Sequence, residues 1–303
     1  MDLPLNKKHN YMIRTILFIN ILFLFVPLKA QDVDELLNQS PDSVINYTTA
    51  TFKSTRIVSG HSIERMPAGQ LDVRISHRFG TVNQGSYDFW GLDQSNTHFS
   101  LEYGITNWLM AGAGRGTNHK MYDGFLKFTL WRQSTGKRNM PVSISYLTTM
   151  SLTSEKLQLP GNVNFWMRAS FVNQLLIARK FSERFSFEIN PTFIHRNLVQ
   201  TELDPNDILA VGAGARFKLS KRVSLNGEYY YVIPPVHDFR SSPKPNNSLS
   251  FGFDIETGGH VFQFHLTNSV DMIEKSFIGE TNGNWKHGDI HLGFNISRVF
   301  TLK

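Results

Sequence analysis

The chain has 303 residues, no cysteine and a formal net charge of +6; residues 1–30 hold four basic residues and one acidic residue, and the remainder has 27 basic and 24 acidic residues, a charge of +3. The absence of cysteine excludes disulfide scaffolds, thiolate zinc sites and cysteine nucleophiles, and so mild a charge without a basic stripe does not indicate nucleic-acid binding. Only 18% of residues are charged, while Phe reaches 24 and Gly 22, which suits lipid-facing strands better than a helical enzyme.

Residues 1–30 have the order of a secretory signal peptide. Lys7, Lys8 and Arg14 form a basic head, an apolar run covers residues 16–26, and Ala30 supplies a small residue at the cut. An uncleaved anchor is the alternative, but the run is shorter than the roughly 20 residues of a membrane-spanning helix. We predict cleavage after Ala30. Because no other apolar stretch approaches that length, a membrane protein of this sequence has to be a closed barrel.

Residues 31–68 lack the pattern of a membrane strand. Within them, residues 45–66 carry Lys53, Arg56 and Arg65. We hypothesise that this stretch folds into or beneath a lumen as a partial plug, where its cations meet acids of the strands; a periplasmic extension without contacts is the alternative. The candidate acids are Glu102, Glu188, Glu228, Asp254 and Glu256.

From Gln70 onward the chain alternates with period two, which indicates strands with one apolar face. In residues 249–255, for example, Leu249, Phe251 and Phe253 point to one side and Ser250 and Asp254 to the other. Twelve strands are predicted, at 69–79, 97–104, 107–115, 121–133, 140–150, 165–181, 184–196, 207–219, 222–233, 247–257, 260–269 and 287–300. Asn173 falls on the apolar side of its strand, which predicts a bulge or a shifted register there.

The connections between these strands alternate in length. Short turns lie at 105–106, 134–139, 182–183, 220–221 and 258–259, and longer loops at 80–96, 116–120, 151–164, 197–206, 234–246 and 270–286. This asymmetry is typical of bacterial outer-membrane barrels. We predict an all-β fold in which residues 69–303 form a closed antiparallel transmembrane barrel with short periplasmic turns, long extracellular loops and both barrel termini in the periplasm. A soluble sandwich or lipocalin-like barrel is less consistent with the long strands and with aromatic residues near their ends.

The polar sides of the strands carry the candidate lumen-lining residues. They are Arg74, Arg78, Glu102, Lys127, Arg168, Glu188, Arg216, Lys218, Glu228, Asp254, Glu256, His265, Asp289 and His291. Such charges either line a solute pathway or form an ion-paired core that seals the barrel. Twelve strands lie between the eight that side chains just fill and the sixteen that leave a channel, and we favour a narrow or blocked lumen.

No pattern indicates a catalytic, cofactor or metal site. His260, His265, His287 and His291 have no acidic or histidine partner at ligand spacing, so polar lumen positions are the better interpretation. The Gly-Ala-Gly strings at 112–114 and 212–214 lack the form of a nucleotide loop and instead bend strands or leave space in the lumen. A lipid-active hydrolase is the enzymatic alternative, but the nucleophile and zinc-protease motifs are absent.

Several stretches resemble a known family. They are residues 50–64 and 75–80, Phe89-Trp-Gly-Leu-Asp93, Tyr103-Gly-Ile-Thr-Asn-Trp108, Tyr122-Asp-Gly-Phe-Leu-Lys127, residues 258–269 and residues 288–298. These are similar to the β-barrel family filed as domain of unknown function 5777, over nearly all of residues 45–300. The resemblance implies an outer-membrane barrel and no activity. One departure is that Phe300 is followed by Thr301-Leu302-Lys303, whereas the generic insertion signal ends on an aromatic residue.

The sequence therefore predicts a non-enzymatic outer-membrane barrel that passes small solutes through a narrow pore, or that presents loops 80–96, 151–164, 234–246 and 270–286 as a binding surface. A sealed structural barrel and the hydrolase are the alternatives. The expected partners are outer-membrane lipid, the barrel-assembly machinery during insertion and a small solute, with no nucleic acid and no cofactor.

Overall fold

A computed structural model describes residues 44–156, 164–199, 204–234 and 245–302. Its strands are β1 (Ile45–Tyr47), β2 (Gln70–Thr81), β3 (Ser95–Gly104), β4 (Leu109–Gly116), β5 (Met121–Trp131), β6 (Ser134–Gly136), β7 (Ser143–Thr153), β8 (Ala169–Lys180), β9 (Phe185–Arg196), β10 (Asp207–Lys218), β11 (Val223–Ile233), β12 (Ser248–Thr257), β13 (His260–Thr267) and β14 (His291–Thr301). A short α-helix, α1 (Glu274–Gly279), lies between β13 and β14.

Twelve of these strands close into one antiparallel barrel, and β1 pairs with β6 in a separate two-stranded sheet. The barrel closes where β14 pairs with β2, with Thr301 opposite Gln70 and Ile296 opposite Ile75. Closure leaves no unpaired edge, which a sheet in lipid requires. The predicted closed barrel of twelve strands is confirmed, and each strand begins and ends within four residues of its predicted position.

The barrel is apolar outside and polar inside. On β12, Phe251 and Phe253 are 53% and 40% exposed, whereas Ser250 and Asp254, on the opposite side, are 0% and 2% exposed. A soluble barrel would bury the phenylalanines and expose the aspartate. This inverted arrangement is that of a barrel whose outer surface contacts lipid.

Two strands begin four residues later than predicted. Arg168 lies in a 3-10 turn, Trp166–Arg168, before β8, and Asp289 precedes β14. The predicted starts at 165 and 287 were too early because a few polar and apolar residues in alternation also occur in turns.

The predicted irregularity at Asn173 is wrong. Asn173 pairs with Thr148 on one side and Phe193 on the other, in continuous register. Its amide oxygen accepts a hydrogen bond from the Tyr146 hydroxyl at 2.6 Å. A cross-strand partner thus satisfies the amide oxygen on the lipid-facing side, where water cannot do so.

None of the helices in the described part of the chain is long and apolar enough to cross a bilayer. The apolar run at residues 16–26 lies outside the described residues.

Two segments fold into the barrel from opposite ends. Residues 50–66, here called the lumen hairpin, enter at the short-turn end, where Thr48 N donates to Gln133 O. The hairpin turns back through a bridge between Arg56 and His61. From the long-loop end, α1 enters with five of its six residues buried.

Apolar packing explains why α1 points inward. Phe277 and Ile278 are fully buried and pack with Ile194, Ile208 and Tyr230. Loop 270–286 therefore does not present this helix as part of an outer binding surface, contrary to the expectation from its length.

Candidate functional site in the barrel lumen

One wall carboxylate accepts three hydrogen bonds from the tip of the lumen hairpin. The Glu228 side chain, on β11, accepts hydrogen bonds from the backbone N–H groups of Val58 at 3.1 Å, Ser59 at 2.8 Å and Gly60 at 3.0 Å. Gly60 is required here because a Cβ at this position would lie 2.0 Å from the Tyr230 hydroxyl oxygen. The tip is thereby fixed against one wall of the lumen.

Two further wall carboxylates hold the legs of the hairpin. Glu102 accepts a hydrogen bond from the Thr55 hydroxyl at 2.6 Å and pairs with Arg56 at 3.2 Å. Glu188 accepts the backbone N–H of Ile63 at 2.6 Å. Burial of an unpaired carboxylate is costly, and each of these contacts supplies a donor to one.

Wall cations contact the hairpin in the complementary way, through its carbonyl groups. Lys127 Nζ donates to the carbonyl oxygens of Ser62 at 3.0 Å and Glu64 at 2.8 Å. Arg216 donates to Ala50 O at 2.8 Å and Thr51 O at 3.1 Å. Backbone groups that no sheet pairs are thus satisfied by side chains of the barrel.

Cations of the hairpin contact wall acids in two places. Lys53 pairs with Glu256, and Arg56 pairs with Glu102. Arg65 is the third predicted cation, and its Nε has no hydrogen-bond partner among the described residues.

The hairpin and α1 meet in the interior of the barrel. Arg56 donates to Glu274 Oε1 at 2.6 Å, and His61 Nε2 lies 3.4 Å from the same oxygen. All three side chains are buried. Burial, together with the charges of Arg56, Lys127 and Arg74, lowers the pKa of His61 well below its usual value. His61 is therefore neutral where it lies, against the edge of the Phe125 ring.

One side of the lumen wall is apolar. Phe52, Ile57 and Ile63 of the hairpin pack against a buried cluster from the wall. The cluster contains Met110, Phe125, Leu147, Leu176 and Ala178. The sequence prediction names only polar and charged lumen positions. The apolar wall residues stand at inward positions of β4, β5, β7 and β8, and they are the sequence signal that a segment of the chain covers this wall.

The predicted lumen-lining residues fall into three groups. Ten are buried within the barrel strands: Arg74, Arg78, Glu102, Lys127, Glu188, Arg216, Glu228, Asp254, His265 and His291. Lys218 and Glu256 are partly exposed at or near strand ends. Arg168 and Asp289 lie outside the strands, where Arg168 donates to Glu155 O at 2.6 Å and Asp289 accepts from Asn83 at 2.7 Å.

The lumen hairpin and α1 are both largely buried inside the barrel. A cavity of about 10 Å³ lies between the hairpin and the wall, room for a single water molecule. Its lining includes Arg56, Arg74, Arg78, Asp123 and Glu274. No group of three or more His, Cys, Asp or Glu side chains in the described ranges could hold a metal ion.

No curated protein matches the chain. Among solved structures, the NanC porin has 10% identity, a TM-score of 0.48 and coverage of 77% of this chain and 99% of its own. The KdgM porin has 7% identity, a TM-score of 0.44 and coverage of 77% and 99%. Outer membrane phospholipase A from Escherichia coli has 10% identity, a TM-score of 0.41 and coverage of 82% and 98%. Similarity at this level carries no conclusion about activity.

A family model gives a stronger result. The model described as "Membrane bound beta barrel domain", domain of unknown function 5777, matches residues 52–300. The match begins inside the lumen hairpin, so most of the hairpin is part of the family domain. The chain belongs to this family of membrane-bound β-barrels.

Proposed function

We propose that the protein is an outer-membrane channel for small hydrophilic solutes, kept closed by its own lumen hairpin. The observation that carries the proposal is the polar attachment of the hairpin. Its tip is held by three hydrogen bonds to Glu228, and its legs by Glu102, Glu188 and Lys127. Hydrogen bonds of this kind can be exchanged for hydrogen bonds to water at a small net cost. When the hairpin leaves, these polar groups of the wall can therefore be hydrated.

The size of the barrel supports the same proposal. Eight strands enclose a space that side chains alone fill, and wider barrels leave a channel or hold a plug. Here twelve strands form the barrel, and a separate segment occupies what the wall side chains leave. Displacement of that segment opens a passage lined by Arg74, Glu188 and Arg216.

We propose the following arrangement in the membrane. Residues 1–30 act as a signal peptide removed after Ala30, and the barrel-assembly machinery inserts the mature chain into the outer membrane. The short turns face the periplasm together with the start of the hairpin. Residues 31–43 lie outside the described residues.

Planar-bilayer conductance of the purified protein tests the channel. We compare the wild type with Glu228→Gln, which keeps the size of the side chain but removes the charge that three N–H groups share. Losing such charge-assisted bonds costs about 1–3 kcal/mol, so we expect open probability to rise roughly tenfold or more. Glu183→Gln is the matched control, because the Glu183 side chain is 82% exposed in a short turn.

Brief, rare openings of the wild type and longer ones of Glu228→Gln would support the channel. If both proteins are folded, as judged by heat-modifiable migration on gels, and neither conducts, the barrel is a sealed scaffold and the proposal is wrong.

A further inference from the structure

Arg78 is a buried cation without an acidic partner. Its residue is 1% exposed, and its guanidinium donates to three neutral acceptors: His77 O at 3.0 Å, the Asn295 side chain at 3.3 Å and the Ser59 hydroxyl at 3.0 Å. Among the described residues no carboxylate lies within ion-pair distance of it. The acid on the same side of the lumen, Glu228, is occupied by three backbone N–H groups.

Arginine neighbours of Arg78 are compensated, unlike Arg78 itself. Arg74 pairs with Asp72 at 2.9 Å, and Arg56 pairs with both Glu102 and Glu274. A buried charge normally has a counter-ion because its removal from water is costly. Arg78 is the exception in this cluster.

The cavity of about 10 Å³ adjoins this uncompensated charge. The buried side-chain atoms on its lining that lack a hydrogen-bond partner can all donate: Arg74 Nε, Arg78 Nε and the Ser100 hydroxyl. Ser59 also lines the cavity, and because its oxygen accepts from Arg78, its hydroxyl hydrogen is available.

Both carboxylates on the lining are already engaged. Asp123 contacts His98 Nε2 at 2.7 Å, and Glu274 accepts from Arg56 at 2.6 Å. The unused capacity of the cavity is therefore donor capacity next to a positive charge, which favours an anion over a neutral water.

We propose that this cavity binds one small monovalent anion of the size of chloride, held by Arg78, Arg74 and the hydroxyls of Ser59 and Ser100. The anion neutralises Arg78 and links the tip of the lumen hairpin to β2 and β3. The cavity is too small to admit carboxylate or phosphate solutes while the hairpin is in place. The site does not depend on whether the barrel conducts.

Thermal unfolding in detergent, at fixed ionic strength, tests the site with chloride as the probe and gluconate, which is too large to enter, as the reference. Above the Kd, each tenfold rise in chloride should raise the Tm of the wild type by about 3 °C, since the bound anion stabilises only the folded barrel. Arg78→Gln should lose this dependence, and Ser100→Ala should weaken it.

Arg138→Gln is the control, because Arg138 is exposed in the turn before β7 and its loss should leave the chloride dependence as in the wild type. Crystals of the wild type in bromide should show an anomalous peak within hydrogen-bond distance of the Arg78 guanidinium. If Arg78→Gln does not fold, Ser100→Ala and the bromide crystals decide. Equal Tm values in chloride and gluconate, or crystals without a peak at Arg78, would show that the cavity holds only water and overturn the proposal.

Discussion

At the scale of single residues, glycines allow the lumen hairpin and the barrel wall to pack closely. A Cβ at Gly214 would lie 2.2 Å from Ile57 Cδ1, and one at Gly60 would lie 2.0 Å from the Tyr230 hydroxyl oxygen. The Gly-Ala-Gly string at 212–214 thus leaves space in the lumen, one of the two roles predicted for it. The hairpin and the wall can approach this closely only because neither residue carries a side chain.

Gly60→Ala should destabilise the folded barrel by about 1–3 kcal/mol, the usual cost of overpacking. Tyr230→Phe removes the oxygen that the new methyl group would strike, so the double variant Gly60→Ala/Tyr230→Phe should recover part of the loss. The free energy of unfolding in urea measures this coupling.

Gly258→Ala is the control for the glycine substitution, because no atom lies within 4 Å of a Cβ built there. Gly258→Ala should change the free energy of unfolding little. Equal losses for Gly60→Ala and Gly258→Ala would contradict the close fit at the hairpin tip.

His61 should make the docking of the hairpin sensitive to acid. Its pKa is lowered by burial and by Arg56, Lys127 and Arg74, whereas a released hairpin has the ordinary value of about 6.5. Below that pH the released state binds a proton that the docked state does not, so docking weakens as pH falls, by up to about 1.4 kcal/mol per pH unit.

Hydrogen exchange of the hairpin amides between pH 7 and pH 5, corrected for intrinsic exchange, measures this effect. As the pH falls, exchange in the wild type should accelerate relative to exchange in His61→Gln. Glu274 faces His61 from α1, and burial raises its pKa. Its titration affects hydrogen exchange in the wild type and in His61→Gln alike. A pH profile that the substitution leaves unchanged would exclude His61 as the sensitive group.

At the scale of elements, the sequence predicted the barrel strands, but it predicted the contacts in the interior only in part. Alternation such as that of residues 249–255 depends on neighbouring residues alone, since each strand side faces either lipid or lumen. The charges of Lys53 and Arg56 pointed to acidic partners in the lumen, and the pairs with Glu256 and Glu102 exist.

The contact between the lumen hairpin and α1 could not be predicted. Nothing local indicates that Glu274, in a long loop, reaches Arg56 across 218 positions of sequence. The apolar residues Met272, Ile273, Phe277 and Ile278 were the available signal that this loop is buried, and its length argued the opposite. Backbone N–H groups as the partners of Glu188 and Glu228 were equally invisible, because they depend on where the hairpin turns.

The hairpin and α1 should stabilise each other through Arg56 and Glu274. Breaking a buried ion pair from one side costs about 3–5 kcal/mol, so Arg56→Gln and Glu274→Gln should each lower the stability of the folded barrel. The double variant should lose clearly less than the sum, because each single substitution leaves the other member of this pair without its partner and the double variant does not. The contact of Arg56 with Glu102 is lost equally in both variants that lack Arg56. Strictly additive losses in urea unfolding would show that the two segments are not coupled.

At the scale of the whole molecule, the lack of cysteine makes the proposed membrane orientation directly testable. Tyr87, in the β2–β3 loop, is 93% exposed, and Lys137 is exposed in the turn between β6 and β7. A membrane-impermeant maleimide should label Tyr87→Cys in intact cells, and Lys137→Cys only after the outer membrane is opened. The reverse pattern would place the short turns outside.

Both ends of the lumen hairpin are fastened at the same mouth of the barrel. Before the hairpin, β1 pairs with β6, and after it Gly69 N donates to Gly104 O at 2.9 Å. A segment attached at both ends stays close to the lumen after it is displaced. Its re-entry is therefore an intramolecular step with an effective concentration in the millimolar range or above. The rate of resealing is then a property of each barrel by itself, the same in a crowded membrane as in a dilute one.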